Sequence, residues 1–372
     1  MRRLVPVLIA GSLVLAACGG DDNGESDATP PDDATEDTSD DPGDDAGDDA
    51  SSDAPAAPVG AGGMDADLSV FADTTVGVVS LLPGLEPVDR IAAGVVACVE
   101  DNGGSVQTFD AQGGVQSVQA FEQANAAGVD AIYNVANDVS VGALDAGLAE
   151  AAAAGRPVVS AWAGQHPDTV AITGLEFQSA ARVGQYVIDR IAAENGGVAE
   201  GKVLVANARV TPSLRQRADA FVAMVGEGTE FPLIEAVEIE IDISNPIADT
   251  QSKVESAILA DPSIDAVFTS FDTIGLGATQ AVDSSDGDQF VVSFNGDSEA
   301  LDLLRSDSSF AATAANDLEG TADIACQVLA MLLADETPPA TTFWMDSPLV
   351  TKNNVPASGF ASGPGAFVLY DD

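Results

Sequence analysis

Polar and aromatic side chains stand directly after several short apolar runs of this sequence, at the points where buried strands are expected to end. Amides, carboxylates, one arginine and two large aromatic residues occupy these positions. Such groups provide hydrogen bonds and flat stacking faces, which suit a small polar ligand that contains a ring. We therefore predict a binding site composed of Ser80, Asn134, Asn137, Asp138, Trp162, Glu176, Arg215, Phe271, Asp272, Asn295 and Asn316.

The same positions do not hold the groups that catalysis usually requires. No nucleophile stands beside a base, and no glycine-rich loop has the spacing that cradles a phosphate. The chain contains one histidine and three cysteines, so a zinc site built from these ligands is not expected, and a histidine-based triad has a single candidate. We expect a binding protein without catalytic residues, metal or cofactor.

The segments that must position the site residues alternate between two types. From Thr74 onwards, short β-branched apolar runs, such as residues 75–82, are followed by segments with helical spacing of apolar residues, such as 89–101. Two successive series of this kind predict an α/β fold with two lobes, each a parallel sheet flanked by helices. In such sheets ligands meet the carboxyl ends of the strands, which is where the predicted site residues stand.

The charge distribution narrows the class of partner. The chain carries a formal net charge of −47, and acidic residues outnumber basic ones both before residue 67 and after it. Because there is no basic stripe, we expect no binding to nucleic acid and no adsorption to an anionic membrane surface. A saline habitat and a compositional bias of the genome are both consistent with the acidity.

The amino-terminal region has the organisation of an export signal followed by a tether. Arg2 and Arg3 precede an apolar run that ends at Ala17 and is shorter than the roughly 20 residues that span a bilayer. We predict a signal peptide over residues 1–17. We also predict an acidic, disordered tether over 18–73, because this segment has too few large apolar side chains to offset the entropy lost on ordering.

The tetrapeptide Leu-Ala-Ala-Cys that ends at Cys18 resembles the lipobox of bacterial lipoproteins. The resemblance implies cleavage before Cys18 and lipidation of this residue. The mature protein would then be extracytoplasmic and held at the cell membrane by the lipid anchor only. The alternative is an ordinary cleaved signal in which the cysteine is incidental.

Four segments of the body resemble the ribose-type periplasmic binding proteins, which have the type I fold of that class. The segments are DAIYNVANDVSVGAL, PVVSAW, DAVFTSFDTIGLGATQAV and FVVSFNGDSEAL, and the similarity extends over about residues 74–355. The resemblance implies two Rossmann-like lobes joined by a three-strand hinge. It places 74–173 and 317–347 in the first lobe, and 174–316 and 348–370 in the second.

The resemblance also implies ligand contacts. Arg215 falls on an arginine that holds ligand hydroxyls in this family. The sequence departs from the sugar-binding pattern after the fourth strand, where Trp162 stands in place of an Asp-Arg pair, so Trp162 or Phe271 is the candidate stacking face for a ring. The other polar contacts that the resemblance implies are Asn134, Asn137, Asp138, Asp272, Asn295 and Asn316.

Two cysteines of the body form a candidate disulfide. Cys98 lies on the apolar face of the first predicted helix, and Cys326 lies in the long last helix, which returns to the first lobe in the family that the chain resembles. We therefore expect the two helices to be neighbours and Cys98 to be bonded to Cys326, since an exported protein permits a disulfide. The alternative is a pair of buried free thiols.

These observations lead to a hypothesis about function. We expect a monomeric solute-binding lipoprotein that captures a small polar ligand, foremost a sugar, and delivers it to an ABC transporter permease. One alternative is a ligand sensor of the same fold that docks on a membrane receptor. Another is a different ligand class, either nucleosides or amino acids, for which Asp272 and Arg215 are candidate anchors of the ammonium and carboxylate groups.

Overall fold

The computed structural model describes residues 64–226, 233–285 and 287–360, and the backbone of 367–369. The predicted signal peptide, Cys18 and most of the predicted tether lie outside the described residues. Within them, no helix combines the length and the apolar character that a bilayer crossing requires.

Strands and helices alternate along the described part of the chain. The strands are β1 (Thr75–Ser80), β2 (Ser105–Asp110), β3 (Ala131–Val135), β4 (Val158–Ala161), β5 (Val170–Gly174), β6 (Glu200–Asn207), β7 (Leu233–Glu240), β8 (Ala266–Thr269), β9 (Phe290–Asn295), β10 (Phe310–Ala315), β11 (Thr342–Met345), β12 (Leu349–Thr351) and β13 (Phe367–Leu369). The helices are α1 (Glu86–Asp101), α2 (Ser117–Ala127), α3 (Asp145–Ala153), α4 (Glu176–Glu194), α5 (Pro212–Val225), α6 (Pro246–Ala260), α7 (Asp272–Ser284), α8 (Ser298–Arg305) and α9 (Leu318–Leu333).

The strands form two separate sheets. The first sheet has the order β13-β11-β5-β4-β3-β1-β2, and the second has the order β12-β10-β9-β8-β6-β7. Neighbouring strands are parallel except for the pairs β11–β13 and β10–β12, which are antiparallel. Helices α1, α2, α3 and α9 pack on the first sheet and α4 to α8 on the second, which defines a first and a second lobe. The predicted α/β fold with two lobes is confirmed.

The local sequence explains why these elements form. Strand β3 is the apolar run AIYNV and is buried along its whole length, as a central parallel strand covered by helices must be. Helix α1 places Val88, Ile91, Val95 and Val99 at intervals of three or four residues, and these four side chains are its buried face. They enter a core that α1 shares with α9 on one face of the first sheet.

Three short, adjacent segments form the hinge between the lobes. The chain leaves the first sheet between β5 and α4, returns between β10 and α9, leaves again between β11 and β12, and rejoins the first sheet further along at β13. All three crossings lie side by side at the junction of the sheets, because β5 and β11 are paired in the first lobe and β10 and β12 in the second. This is the three-strand hinge that the resemblance implies.

Two predicted boundaries differ from the structure. The tether was expected to reach residue 73, but Phe71 is fully buried in the core of the first lobe and the N–H of Ala66 donates to Oε1 of Gln327. Met64, Ala66, Leu68 and Val70 pack against the same core as Phe71, so the segment before β1 is part of the first lobe. The segment 348–370 was expected in the second lobe, but β13 pairs with β11 and so belongs to the first.

Helices α1 and α9 pack closely along each other. A Cβ at Gly94 of α1 would overlap the Cβ of Ala322 on α9, so the glycine is what permits the approach. One turn further along α1, Cys98 lies with its Cα 6.3 Å from that of Cys326, and the two Sγ atoms are within bonding distance. The structure thus places the predicted partners side by side.

Candidate functional site

A cavity of about 80 Å³ lies between the two lobes at the carboxyl ends of their strands. Thirteen of the eighteen residues that line it are apolar or aromatic, and they come from both lobes. The polar residues that line it are Thr211, Ser213, Arg217, Asn295 and Asn316. A single buried water needs roughly 10–15 Å³ of cavity volume. The cavity is several times larger than this, which gives room for a small solute.

Three of the residues that line the cavity have a backbone conformation that side chains normally avoid. Ala136, Trp162 and Asn295 have φ values of 64°, 56° and 116°. Each stands at or just after the end of a strand, namely β3, β4 and β9. Such backbone strain costs on the order of 1–3 kcal/mol per residue and concentrates at functional sites. Its concentration at this cavity supports the cavity as the site.

Arg217 is the central charged group of the cavity. Its side chain is almost fully buried, and its Nε donates to Oε2 of Glu176 at 2.6 Å. Its Nη1 donates to the carbonyl oxygen of Ser270 at 3.1 Å and to Oδ1 of Asn295 at 2.9 Å. The guanidinium also lies 5.8 Å from the ring centroid of Trp162. Arg217 on α5 therefore joins the hinge-side carboxylate to the ends of β8 and β9.

A chain of amides extends this network to the hinge. Oδ1 of Asn295 accepts a second hydrogen bond from Nδ2 of Asn316 at 3.0 Å. Oδ1 of Asn316 in turn accepts from the hydroxyl of Ser347 at 2.7 Å. Because Asn316 and Ser347 lie on two of the hinge crossings, the groups that line the cavity are directly connected to the segments that must move when the lobes open.

Trp162 supplies the largest aromatic surface of the site. It is 5% exposed, and its ring packs so closely over Gly174 that a Cβ there would overlap Cζ3 of the indole and Oε1 of Glu176. The Nε1 of Trp162 is buried and has no hydrogen-bond partner among the described residues. An unpaired buried donor is costly, so this N–H favours an acceptor on a bound molecule.

Four predicted site residues line this cavity: Trp162, Phe271, Asn295 and Asn316. Glu176 lies behind them as the partner of Arg217. Contact of these residues with a ligand stays a prediction.

Three predicted residues of the first lobe lie away from the cavity. Asn134 and Asn137 are fully buried and bond each other, with Nδ2 of Asn137 donating to Oδ1 of Asn134 at 3.0 Å. Nδ2 of Asn137 also donates to the carbonyl oxygen of Val79. Ser80 ends β1 but is not among the lining residues. The two amides therefore hold the loop after β3, and their contact with a ligand stays a prediction.

Arg215 and Asp138 form an ion pair outside the cavity, and their contact with a ligand stays a prediction. Nη2 of Arg215 on the second lobe lies 2.5 Å from Oδ2 of Asp138 on the first, and neither residue lines the cavity. Two positions along a helix correspond to a rotation of about 200°, so Arg215 and Arg217 point in nearly opposite directions. Arg217 is the residue that the sequence reasoning missed.

Helical periodicity is the signal that identifies Arg217 from sequence. Leu214, Ala218, Phe221 and Val225 recur at intervals of four, three and four residues and form the buried face of α5. Arg217 falls on this apolar stripe and Arg215 does not.

Asp272 lies beneath the site and does not line it. It is fully buried, and it accepts hydrogen bonds from the Thr313 hydroxyl at 2.9 Å and from the N–H of Asp297 at 2.8 Å. Burial raises the pKa of Asp272 to about 7, and burial together with the nearby Asp272 carboxylate raises the pKa of Asp297 well above its usual value. Asp272 therefore supports the β9–α8 loop from below, and its contact with a ligand stays a prediction.

Polar contacts bridge the two lobes beside the cavity. Besides the Arg215–Asp138 ion pair, Oε1 and Oε2 of Glu86 on the first lobe accept from the N–H and hydroxyl of Ser298 on the second, at 2.9 and 2.5 Å. These contacts require the lobes to be close together. The structure thus has the geometry of a closed cleft.

A second, more open depression of about 450 Å³ lies against the hinge and is lined by Gln165, Phe177, Thr342 and neighbouring residues. Its lining includes no described non-glycine residue with a positive φ. It also includes no described buried polar atom that lacks a partner. In the same part of the chain, no group of three or more His, Cys, Asp or Glu side chains is placed to hold a metal ion. The interlobe cavity is therefore the candidate site.

Comparisons with known proteins agree with this architecture. The family model described as "Periplasmic binding protein domain" matches residues 88–337, about two thirds of the chain. No curated protein sequence matches the chain significantly.

Solved structures with the same fold include three solute-binding proteins. One from Agrobacterium vitis with bound allitol is 22% identical with a TM-score of 0.69, over 77% of this chain and 97% of that one. A 5-methylthioribose transporter protein from Thermotoga lettingae in complex with 5-methylthioribose is 20% identical with a TM-score of 0.68, over 76% and 87%. A carbohydrate transporter protein from Agrobacterium radiobacter in complex with D-arabinose is 20% identical with a TM-score of 0.67, over 76% and 96%.

Proposed function

The chain belongs to the periplasmic binding protein domain family, and on this basis we propose that it captures a small sugar-like solute between its lobes and delivers it to the permease of an ABC importer. The family is one of binding proteins, so the chain is not an enzyme. The observation that carries the proposal is the cavity at the strand ends of both lobes, which is lined by Arg217 and by Trp162, whose buried Nε1 has no described partner.

The site chemistry supports a sugar-like solute in two ways. The indole of Trp162 and the ring of Phe271 are flat faces of the kind on which a sugar ring stacks. Arg217, Asn295 and Asn316 place hydrogen-bonding groups at the edge of the same space. The similar structures contain allitol, 5-methylthioribose and D-arabinose, which are a polyol and two sugars or sugar derivatives.

Capture follows from closure of the hinge. Residues of both lobes line the cavity, so a ligand completes its contacts only when the lobes are together and thereby shifts the population towards the closed form. The Arg215–Asp138 and Glu86–Ser298 contacts form in the same step. The closed form is the state that the permease recognises.

The proposal extends to the position of the protein in the cell. Cleavage before Cys18 and lipidation of this cysteine would anchor an extracytoplasmic monomer by the tether that begins at this residue. Cys18→Ser is expected to move the protein from the membrane fraction to the soluble fraction of cells. Light scattering of the released protein tests the monomeric state, and a Cys18→Ser protein that stays with the membrane would contradict the lipid anchor.

A thermal-shift screen of residues 19–372 against monosaccharides, nucleosides and amino acids tests the ligand class. The protein used begins at residue 19 and so retains Ala66 and Phe71, which contact the first lobe. A ligand at 100 times its dissociation constant adds about 2.7 kcal/mol of stability, which raises the melting temperature measurably. Binding of nucleosides or amino acids without any sugar would contradict the sugar assignment but not the binding role.

A further inference from the structure

The cavity walls are more apolar than a fully hydroxylated ligand requires. Leu85 and Ile91 of the first lobe and Leu214 and Phe271 of the second line it, together with further aliphatic residues. A hydroxyl group that is buried against such walls loses its bonds to water and gains none in return. Part of the ligand surface is therefore expected to be apolar.

Among the polar side chains of the cavity, the hydroxyls of Thr211 and Ser213 bond each other at 3.0 Å, and the other groups are mainly donors. The indole N–H of Trp162 is unpaired, and Arg217 uses four of its five N–H groups in described hydrogen bonds. The carboxamide oxygen of Asn295 already accepts from Arg217 and Asn316, and that of Asn316 accepts from Ser347. The ligand is thus expected to present acceptor oxygens at this end rather than a full set of hydroxyl donors.

The site has no uncompensated charge. Arg217 and Glu176 form a buried ion pair at 2.6 Å, with side chains 3% and 1% exposed. Arg215, which was a candidate anchor for a carboxylate, is paired with Asp138 outside the cavity, and Asp272, the candidate anchor for an ammonium group, does not line it. A charged ligand would therefore be buried without a counter-ion, which disfavours it strongly.

We propose that this cleft selects a neutral, sugar-sized ring in which at least one hydroxyl is replaced by hydrogen or by an alkoxy group. This inference rests on the proposed function and specifies its substrate class. The ring oxygens accept hydrogen bonds from Nε1 of Trp162 and Nη2 of Arg217. The deoxy or alkylated edge packs against Leu85 and Ile91 of α1 and the loop before it.

Calorimetry of residues 19–372 with matched pairs of probes tests the inference. The pairs are D-ribose with 5-deoxy-D-ribose, L-galactose with its 6-deoxy form, and D-glucose with its methyl glycosides. In the pairs that bind, the deoxy or methylated member is expected to bind at least ten-fold more tightly, which corresponds to about 1.4 kcal/mol. Glycine, glutamate and D-ribonate serve as charged probes and are expected not to bind.

Each outcome separates the inference from the proposed function. Equal or tighter binding of the fully hydroxylated member would overturn the inference and leave sugar capture standing. Binding of the charged probes alone would overturn the inference and the sugar assignment together. Absence of binding by every sugar and sugar derivative would overturn both as well.

Two variants that are expected to fold, Leu85→Asn and Trp162→Phe, test the assigned contacts. Leu85 is the N-cap residue of α1 and makes no side-chain cap bond, so Leu85→Asn introduces a favoured cap and also a polar group in the wall. It is expected to reduce the preference for the deoxy member at least five-fold. Leu82→Asn, at a half-buried position outside the cavity, is the matched control and should leave the preference unchanged.

Trp162→Phe tests the donor end of the site. This change keeps an aromatic face and removes the N–H, so it is expected to weaken both members of a pair about ten-fold and leave their ratio unchanged. Unchanged affinity in Trp162→Phe would overturn the assigned acceptor contact, and an unchanged ratio in Leu85→Asn would overturn the apolar edge.

Discussion

At the scale of single residues, the pair of Arg217 and Glu176 is the most consequential interaction in the cleft. Both side chains are buried and 2.6 Å apart, so removal of one leaves a charge without a partner. Arg217→Met is expected to lower the free energy of unfolding by about 3–5 kcal/mol, because an isolated buried carboxylate is strongly unfavourable. Urea unfolding followed by circular dichroism measures this change.

A double variant provides the control for this prediction. Replacement of both members, as Arg217→Met with Glu176→Leu, removes both buried charges and should recover most of the lost stability. Arg215→Met, two positions away and half-exposed, should change stability by less than about 1 kcal/mol. A double variant as unstable as Arg217→Met alone would contradict the buried-pair explanation.

Asp272 predicts a pH dependence of stability. Burial raises its pKa from 3.8 to about 7 in the folded protein, so between these values the folded state holds a proton that the unfolded state has lost. The contribution of this group to stability is therefore complete below about pH 4 and is lost as the pH rises through 7, with a slope of at most about 1.4 kcal/mol per pH unit. Asp297 acts in the same direction.

Urea unfolding at pH 5, 6, 7 and 8 tests this expectation. Asp272→Asn should flatten the pH dependence, since the hydroxyl of Thr313 can reverse to accept from an amide while the N–H of Asp297 still finds an oxygen. Asp261, whose pKa is lowered to about 2 by its bond to Lys202, acts oppositely but only at lower pH. Stability that rises from pH 5 to pH 8 would contradict the prediction.

Individual contacts were the part of the site that sequence predicted least well. Trp162 and Phe271 were recognised because bulky aromatic residues after apolar runs are uncommon and have a clear use. Asn134 and Asn137 stand in equivalent places after β3, yet their amides bond each other inside the lobe. Which direction a polar side chain takes at a strand end depends on the backbone there, and the positive φ values around the cavity have no signature in the residue types.

At the scale of the elements, the contact between α1 and α9 carries the next prediction. Cys98 and Cys326 lie with Cα atoms 6.3 Å apart across this contact. A bond between them closes a very long loop and is expected to add about 2–4 kcal/mol of stability. Mass measurement of the oxidised, unreduced protein should give a value two hydrogens below that of the reduced chain.

Variants of this pair separate the bond from the packing around it. Cys98→Ser with Cys326→Ser should lower stability by a similar amount to reduction of the native protein, and reduction should then have no further effect. Ala322→Val is a matched packing variant. The helices approach so closely where Gly94 faces Ala322 that a larger side chain on α9 has no room there. Two free thiols in the oxidised protein would contradict the predicted disulfide.

Most elements could be predicted because their sequences are unambiguous. Short β-branched runs favour buried strands, and glycines mark several helix ends. The starts of helices are harder to predict. Helix α7, for example, begins at Asp272 after the N-cap residue Phe271, which makes no side-chain cap bond. The three-residue strand β13 was assigned to the wrong lobe, because only its long-range pairing with β11 determines where it lies.

At the scale of the whole molecule, the alternation of strands and helices predicts two lobes. The resemblance of the chain to the ribose-type periplasmic binding proteins predicts the hinge between them. The chemistry of the closed cavity does not follow from that pattern. It arises where side chains from both lobes meet, and no local sequence signal specifies which of them will face one another. The apolar character of the cleft arises because Leu85 and Ile91 of the first lobe and Leu214 and Phe271 of the second line the same cavity.

The interlobe contacts predict how closure contributes to affinity. Arg215 bonds Asp138 at 2.5 Å only when the lobes are together, and both groups are partly exposed to solvent. Such a pair is worth about 0.2–1 kcal/mol, so Arg215→Gln is expected to weaken ligand binding by up to about five-fold and to speed dissociation. Calorimetry and stopped-flow measurements with whichever solute binds the native chain test this expectation.

Arg209→Gln is the matched control, because Arg209 pairs with Asp219 and Glu238 within the second lobe and its contacts do not change when the lobes separate. At 1 M salt the screening length falls to about 3 Å, so the native protein and Arg215→Gln should converge in affinity while Arg209→Gln stays equal to the native protein throughout. A loss of affinity in Arg209→Gln as large as that in Arg215→Gln would mean that the charge of the second lobe, and not the contact across the cleft, affects binding.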